Sequence, residues 1–138
     1  MMDKLIQKII IHLIQNINLK QIQRTIDSDT IVCGDISELY DTDIGDNYVG
    51  AAHEQVMVQY DVYGTYCEKV VGVDRNNFFN AGIMLINCEK FREKKVLAKF
   101  IELLNVYTFV VTQDEDYLNV LCCGNVLLLP QYWNKNSF

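Results

Sequence analysis

Histidine and proline are almost absent from this chain, and its cysteines form no metal-ligand spacing. The only histidines are His12 and His53, and Pro130 is the single proline. The five cysteines (Cys33, Cys67, Cys88, Cys122 and Cys123) are odd in number, irregular in spacing and contain no Cys-x-x-Cys pair. A zinc site is therefore excluded on spacing grounds. Free thiols in a reducing compartment are the expectation, with Cys122-Cys123 read as small apolar residues closing a helix. Basic charge is also in deficit: 12 Lys and Arg stand against 18 Asp and Glu, a formal net charge of −6. That excludes a broad nucleic-acid footprint. The local run Lys90, Arg92, Lys94, Lys95 and Lys99 alternates with apolar residues and reads as the wet face of a helix.

Long apolar runs are missing too. Over residues 1–17, Leu5, Ile6, Ile9, Ile10, Leu13, Ile14 and Ile17 recur with helical period, but Lys8, His12 and Gln15 interrupt them. This is an amphipathic helix and not a membrane span. Packing on a sheet is the first expectation and lying on a membrane surface the second. No small-residue cleavage pattern follows it. A cytoplasmic protein, with peripheral membrane contact as a variant, is expected. Repeats, low-complexity tracts and linkers are lacking, which leaves one domain over residues 1–138.

What is present is a globular composition, with half the residues apolar and 22% charged. Ile22–Ile26 reads as a strand either at an edge or incompletely covered, because Gln23, Arg24 and Thr25 break its apolar run. Asp35 is expected to cap a short helix over residues 36–40. A strand over 48–52 follows. Segment 55–74 carries Tyr60, Tyr63 and Tyr66 at helical spacing, weakened by Gly64, and the tyrosines read as core. Residues 83–87 form a continuous apolar strand. The clearest helix covers 89–105, with Phe91, Val96, Leu97, Phe100, Ile101 and Leu104 on its apolar side. Asp114–Cys122 is another helix, and Val126–Leu129 is a strand stopped by Pro130. This alternation predicts an α/β fold, a mostly parallel sheet flanked by helices.

The chemistry concentrates at Asp27-Ser28-Asp29. In an extended segment, residues i and i+2 share a face, so both carboxylates can meet one hard divalent cation. Acids at the carboxyl end of a strand also fit the usual location of α/β ligand sites. Taken alone, the pair reads as a solvated turn. The acids Asp41, Asp43 and Asp46 lack EF-hand spacing and read as a solvated loop. Trp133 either stacks on a sugar or caps the sheet.

From Thr25 onward the order of motifs resembles glycosyltransferase family 8. The landmarks are Ile26-Asp27-Ser28-Asp29-Thr30-Ile31-Val32, then Gly34-Asp35-Ile36-Ser37-Glu38-Leu39, then Tyr48-Val49-Gly50-Ala51-Ala52. Phe79-Asn80-Ala81-Gly82, Asp114-Glu115-Asp116-Tyr117-Leu118-Asn119, and Leu129-Pro130 with Trp133-Asn134 complete the series. The resemblance implies a GT-A (nucleotide-diphospho-sugar transferase) fold. It also implies metal-dependent, retaining transfer of a hexose from a UDP-sugar to a glycan or lipid-linked acceptor. Asp27 and Asp29 would hold Mn²⁺ or Mg²⁺, acting as a Lewis acid on the leaving diphosphate. Asn80, Ala81, Gly82 and Asp114 would bind substrate, and Asp114 and Glu115 would flank the reacting sugar. Glu115 stands where the family usually has glutamine, and His53-Glu54 stands where it has a sugar-contacting aspartate.

The family's N-terminal nucleotide-binding portion, about 60 residues or two strand-helix units, has no counterpart ahead of the first helix. Its later His-x-x-Gly-x-x-Lys-Pro-Trp segment has none either. A partial domain, a weakly held ion and impaired transfer are therefore expected. Two alternatives stand beside this. One is a non-catalytic fragment or pseudo-enzyme that self-associates through exposed strand edges. The other is a haloacid-dehalogenase-like phosphatase with Asp27 as nucleophile, which would want Thr or Val where Ile31 stands.

Overall fold

The structure, a computed structural model, describes residues 21–135. The helix expected over residues 1–17, and His12 within it, lie outside the described residues. Four strands form one sheet in the order β1-β3-β2-β4: β1 is Ile22–Ile26, β2 is Val49–His53, β3 is Phe79–Asn87 and β4 is Val126–Leu129. β1 runs antiparallel to β3, with Ile22 opposite Asn87 and Ile26 opposite Ile83. β2 is also antiparallel to β3, and among the described residues only the β2–β4 pair is parallel. The α/β architecture is as expected, but the sheet is mixed and not mostly parallel. The physical reason lies in β3. A continuous apolar run reports burial on both faces, not strand direction. Met84 and Ile86 enter the larger core while Ile83 and Leu85 enter a smaller one on the opposite face. β1 lies at an edge of the described sheet, where its polar residues are tolerated.

The larger core carries most of the helices. These are α2 (Gln55–Gln59), α3 (Asp61–Tyr66) with a π-helical continuation Cys67–Val71, α4 (Cys88–Glu93), α5 (Val96–Val106) and α6 (Asp114–Cys122). Phe78, Phe79, Phe91, Phe100, Met57 and Leu118 are fully enclosed there. Each contributes about 1.5–3 kcal/mol relative to an exposed position. The smaller face is covered by Leu39 of α1 (Ser37–Tyr40), by Ile44, and by Trp133 of a 3-10 turn, Gln131–Trp133. Trp133 thus packs over the sheet. β2 passes beneath with small residues. A Cβ added to Gly50 would stand 2.8 Å from Ile44 Cγ2.

Several boundaries differ from the sequence reading. The expected helix over 89–105 is two helices, separated at Lys94 and a left-handed Lys95 (φ 53°). Phe91 and Val96 are five residues apart, which no single helical stripe accommodates. Two helices let each bury its own anchor, while Ile101 stays exposed. Segment 55–74 resolves as helical, ending at a left-handed Gly72 (φ 83°). Tyr60 and Tyr63 are exposed there, contrary to the core reading, and Tyr66 is half-buried. Asp35 Oδ1 accepts from Ser37 N at 2.8 Å, but the helix proper starts one residue later than expected. Burial pushes the Cys122 thiol up to about 12, which leaves it inert as a nucleophile.

Candidate active site

The site assembles around Gly82, in the first half of β3. Where β1 ends, Asp27 N donates to Gly82 O at 2.8 Å, so the ladder carries the first acid of the Asp-x-Asp pair to this glycine. A Cβ on Gly82 would stand 2.9 Å from Asn80 Oδ1, 3.3 Å from Asp27 Oδ2 and 3.4 Å from Asn134 Nδ2. Three polar groups from three segments therefore border a space that any other residue would fill. The two acids do not meet through the i, i+2 pleat of a strand. β1 stops at Ile26, and Thr30 N donates to Asp27 O at 3.1 Å, closing a turn that sets Asp29 beside Asp27. Asp27 is exposed as a residue, yet its carboxyl reaches over Gly82. Local loss of solvent first, and the Asp29 charge second, push that carboxyl up. Asp29 borders a cleft of about 970 Å³ whose walls include Ile31, Leu39, Trp133 and Asn134.

The start of α6 supplies the opposite side. Its Asp-Glu-Asp run divides into three roles. Asp114 senses the charge of Asp27. Burial pushes its carboxyl up, while N–H groups of Asp114 and Glu115 at the helix start pull it down. Glu115 is buried, with Oε2 accepting from Ala81 N at 2.8 Å. Its Oε1 is enclosed without a hydrogen-bond partner among the described residues. Burial raises the Glu115 carboxyl well above the usual range. The Ala81 N–H opposes this, and the charges of Glu54, Asp114 and Asp116 add to it. Asp116 faces away and is structural. It accepts from Tyr66 Oη at 2.8 Å, from Thr112 N at 3.1 Å and from Thr112 Oγ1 at 2.6 Å. Asn119 clasps Phe79, taking its N–H at 2.9 Å and donating to its carbonyl at 2.9 Å, which fixes the start of β3. Gln113, just before the helix, holds φ 50° and ψ −112°, a strained backbone for a residue with a side chain.

The structure thus gathers Asp27, Asp29, Asn80, Ala81, Gly82, Asp114 and Glu115 at one rim of the sheet. Two further residues join them. Glu54, directly after β2, accepts a hydrogen bond from Asn80 Nδ2. Asn134 donates to Asn80 Oδ1 at 2.7 Å and is itself held by Gln131, whose Nε2 donates to Asn134 O at 2.8 Å and to His53 O at 3.2 Å. His53 turns aside, its Nε2 donating to Arg75 O at 2.8 Å. The sequence signal for Glu54 is an acid placed immediately after a buried strand. That for Asn134 is its place beside Trp133 in the Leu-Pro segment.

Two carboxylates of the Asp27 and Asp29 kind suit a hard divalent cation, which takes its remaining oxygens from phosphate or water. Among the described residues, no group of three His, Cys, Asp or Glu side chains stands close enough to hold an ion by itself. The donor set fits a cation shared with a phosphate-bearing ligand, not a closed protein cage.

Comparison with known proteins identifies the family. The family described as Glycosyl transferase family 8 matches residues 15–136. A Haemophilus influenzae protein, provisionally named a glycosyltransferase, is 34% identical over 119 residues, covering 84% of this chain and 35% of that protein. The lipopolysaccharide 1,2-glucosyltransferase of Escherichia coli is 27% identical over 114 residues, covering 79% of this chain and 32% of the relative. The crystal structure of galactosyltransferase LgtC in complex with donor and acceptor sugar analogs superposes with a TM-score of 0.63 at 31% identity, covering 82% of this chain and 40% of that one. The chain therefore spans about a third of the length of its curated relatives, and its fold is an incomplete GT-A fold. On these matches, and on the order of its motifs, the chain belongs to glycosyl transferase family 8.

Proposed function

We propose that residues 1–138 are one partial domain carrying the metal- and sugar-facing rim of a retaining hexosyltransferase that uses a UDP-sugar. The observation that carries this reading is the meeting of Asp27, Asn80 and Asn134 around Gly82, with Asp114 in electrostatic reach of Asp27. Asp27 and Asp29 would hold Mn²⁺ or Mg²⁺. When bound, such an ion offsets the charge gathering on a departing diphosphate. Asp114 accepts from sugar hydroxyls. Burial raises the Glu115 carboxyl well above the usual range, and in its protonated form it would carry an O–H where the usual glutamine carries an N–H. Ala81 contributes indirectly, because its N–H is already given to Glu115.

The acceptor is a glycan or a lipid-linked acceptor. The name of the lipopolysaccharide 1,2-glucosyltransferase and the donor and acceptor analogs in the LgtC complex support that class. Among the described residues, no helix is long and apolar enough to cross a membrane. We place the chain in the cytoplasm, with contact at a membrane surface as the variant. Two carboxylates hold the ion weakly, so transfer by this chain alone is impaired. The test is thermal unfolding with Mn²⁺ and UDP, followed by transfer assays with UDP-hexoses. The reading predicts a rise in melting temperature with both present and little turnover. No response to either overturns it.

A second reading rests on a separate observation. β1 and β4 are edge strands of the described sheet, and Gln23 Oε1, on β1, is buried without a partner among the described residues. An interaction module would self-associate through such edges. Sedimentation then shows concentration-dependent oligomers, and Mn²⁺ with UDP leaves the melting temperature unchanged.

A further inference from the structure

We propose that Glu54 is a positioning residue, its buried carboxylate fixing the Asn80 amide in the one orientation that leaves an N–H available to the donor sugar. The proposal rests on the sugar-binding reading above and assigns Glu54 a role through Asn80, not through substrate.

The argument is a hydrogen-bond inventory. An asparagine amide offers two N–H donors and one carbonyl with two lone pairs. In Asn80 the carbonyl is saturated, with Oδ1 accepting from Gly82 N at 2.8 Å and from Asn134 Nδ2 at 2.7 Å. One Nδ2–H goes to Glu54 Oε2. The other has no partner among the described residues, and Asn80 is half-exposed beside the space that Gly82 leaves. A flipped amide would set its oxygen against the Glu54 carboxylate and its N–H groups against two other donors, so the orientation is over-determined.

Glu54 is held just as firmly. It is 6% exposed, its N donates to Phe78 O at 2.9 Å, and its Oε1 accepts from Val56 N at 3.1 Å as the N-cap of α2. The carboxylate therefore ties the end of β2 and the start of α2 to the start of β3, and the Asn80 amide inherits that rigidity. Gly82 N belongs to the same device, since its bond to Asn80 Oδ1 draws the amide across the glycine. Preorganisation of this kind lowers the ordering cost of binding.

The experiment uses ¹⁵N-labelled full chain with the Asn80 side-chain NH₂ assigned. One proton of that NH₂ is expected far downfield and slow to exchange, as a charge-assisted hydrogen bond requires, and the other near its free value. Glu54→Ala collapses the pair of signals. Glu54→Gln, which keeps a carbonyl acceptor, preserves the split at reduced size. If Glu54→Ala fails to fold, Glu54→Gln and Asn80→Ser carry the test, with folding checked by spectral dispersion. Calorimetry with UDP-glucose and Mn²⁺ supplies the second arm. Glu54→Ala and Asn80→Ala are each expected to weaken binding about tenfold, and the double variant no further than either. Losses that multiply would overturn the proposal, since they mark Glu54 as an independent contact. So would an unshifted Asn80 NH₂ in the unsubstituted chain. Absence of UDP-glucose binding in every form overturns the sugar-binding reading and leaves the Asn80 resonances to judge Glu54 alone.

Discussion

The two acidic motifs that face each other across Gly82 are built in opposite ways. At the end of β1, Asp27-Ser28-Asp29 is an exposed turn held by backbone bonds, one to Gly82 O and one within the turn. At the start of α6, Glu115 and Asp116 are buried and bonded to Ala81, Tyr66 and Thr112. One side is solvated and short of partners. The other is welded into the core, at the expense of a strained Gln113 and a Glu115 oxygen with no partner among the described residues. The difference teaches where each motif draws its order. The α6 side is set by folding, whereas on the proposed function the β1 side is completed by a cation and a phosphate. Substitutions in α6 should therefore act first on stability, and substitutions in the turn on ligand binding alone.

Asp116→Ala should show the largest effect. It removes the shared acceptor of the part-buried Tyr66 hydroxyl and both Thr112 donors and leaves a hole where the buried carboxylate stood, a loss of about 3 kcal/mol in urea unfolding. A cost below about 1 kcal/mol would erase the distinction between the two motifs. Gly82→Ala sits between them. Its new Cβ meets Asn80 Oδ1 at 2.9 Å, so about 1–3 kcal/mol of stability should go, together with UDP-sugar binding by calorimetry.

Glu115→Gln sharpens the contrast through pH. An acid whose carboxyl is raised by folding loses stability as pH climbs from the ordinary glutamate range toward the folded value. Below that range the contribution is level, because both states are protonated. Glu115→Gln should remove this decline and be the more stable form at pH 8, measured by denaturant midpoints across pH. Equal pH profiles would show that Glu115 is ionised in the fold. The smallest stability effects belong to Asp27→Asn and Asp29→Asn, within about 0.5 kcal/mol, although each should abolish the thermal shift given by Mn²⁺ with UDP.

Legibility from sequence followed the same division. The bounds of α6 and β4 were readable, because a run of acids and a proline mark them locally. Strand direction was not, since the apolar run of β3 states burial and nothing about its neighbours. The break at Lys94-Lys95 was hidden by two apolar stripes that look like one. Asp27, Asn80 and Asp114 could be singled out from motif order. The clamps on Asn80 could not, for Glu54 and Asn134 lie 26 and 54 residues away along the chain. No local spacing encodes side-chain pairings over such separations. Burial of Glu115, and the upward push on its carboxyl that comes with it, was equally invisible.

The central claim is that Asp27 and Asp29 grip a divalent cation beside Gly82. Paramagnetic broadening by Mn²⁺ in ¹⁵N-labelled chain, with UDP-glucose present, reads the ion's location directly. The account predicts that amide signals of Asp27, Asp29, Gly82 and Asp114 vanish first, and that Asp27→Asn restores them. Broadening centred elsewhere, or unchanged by Asp27→Asn, would contradict it.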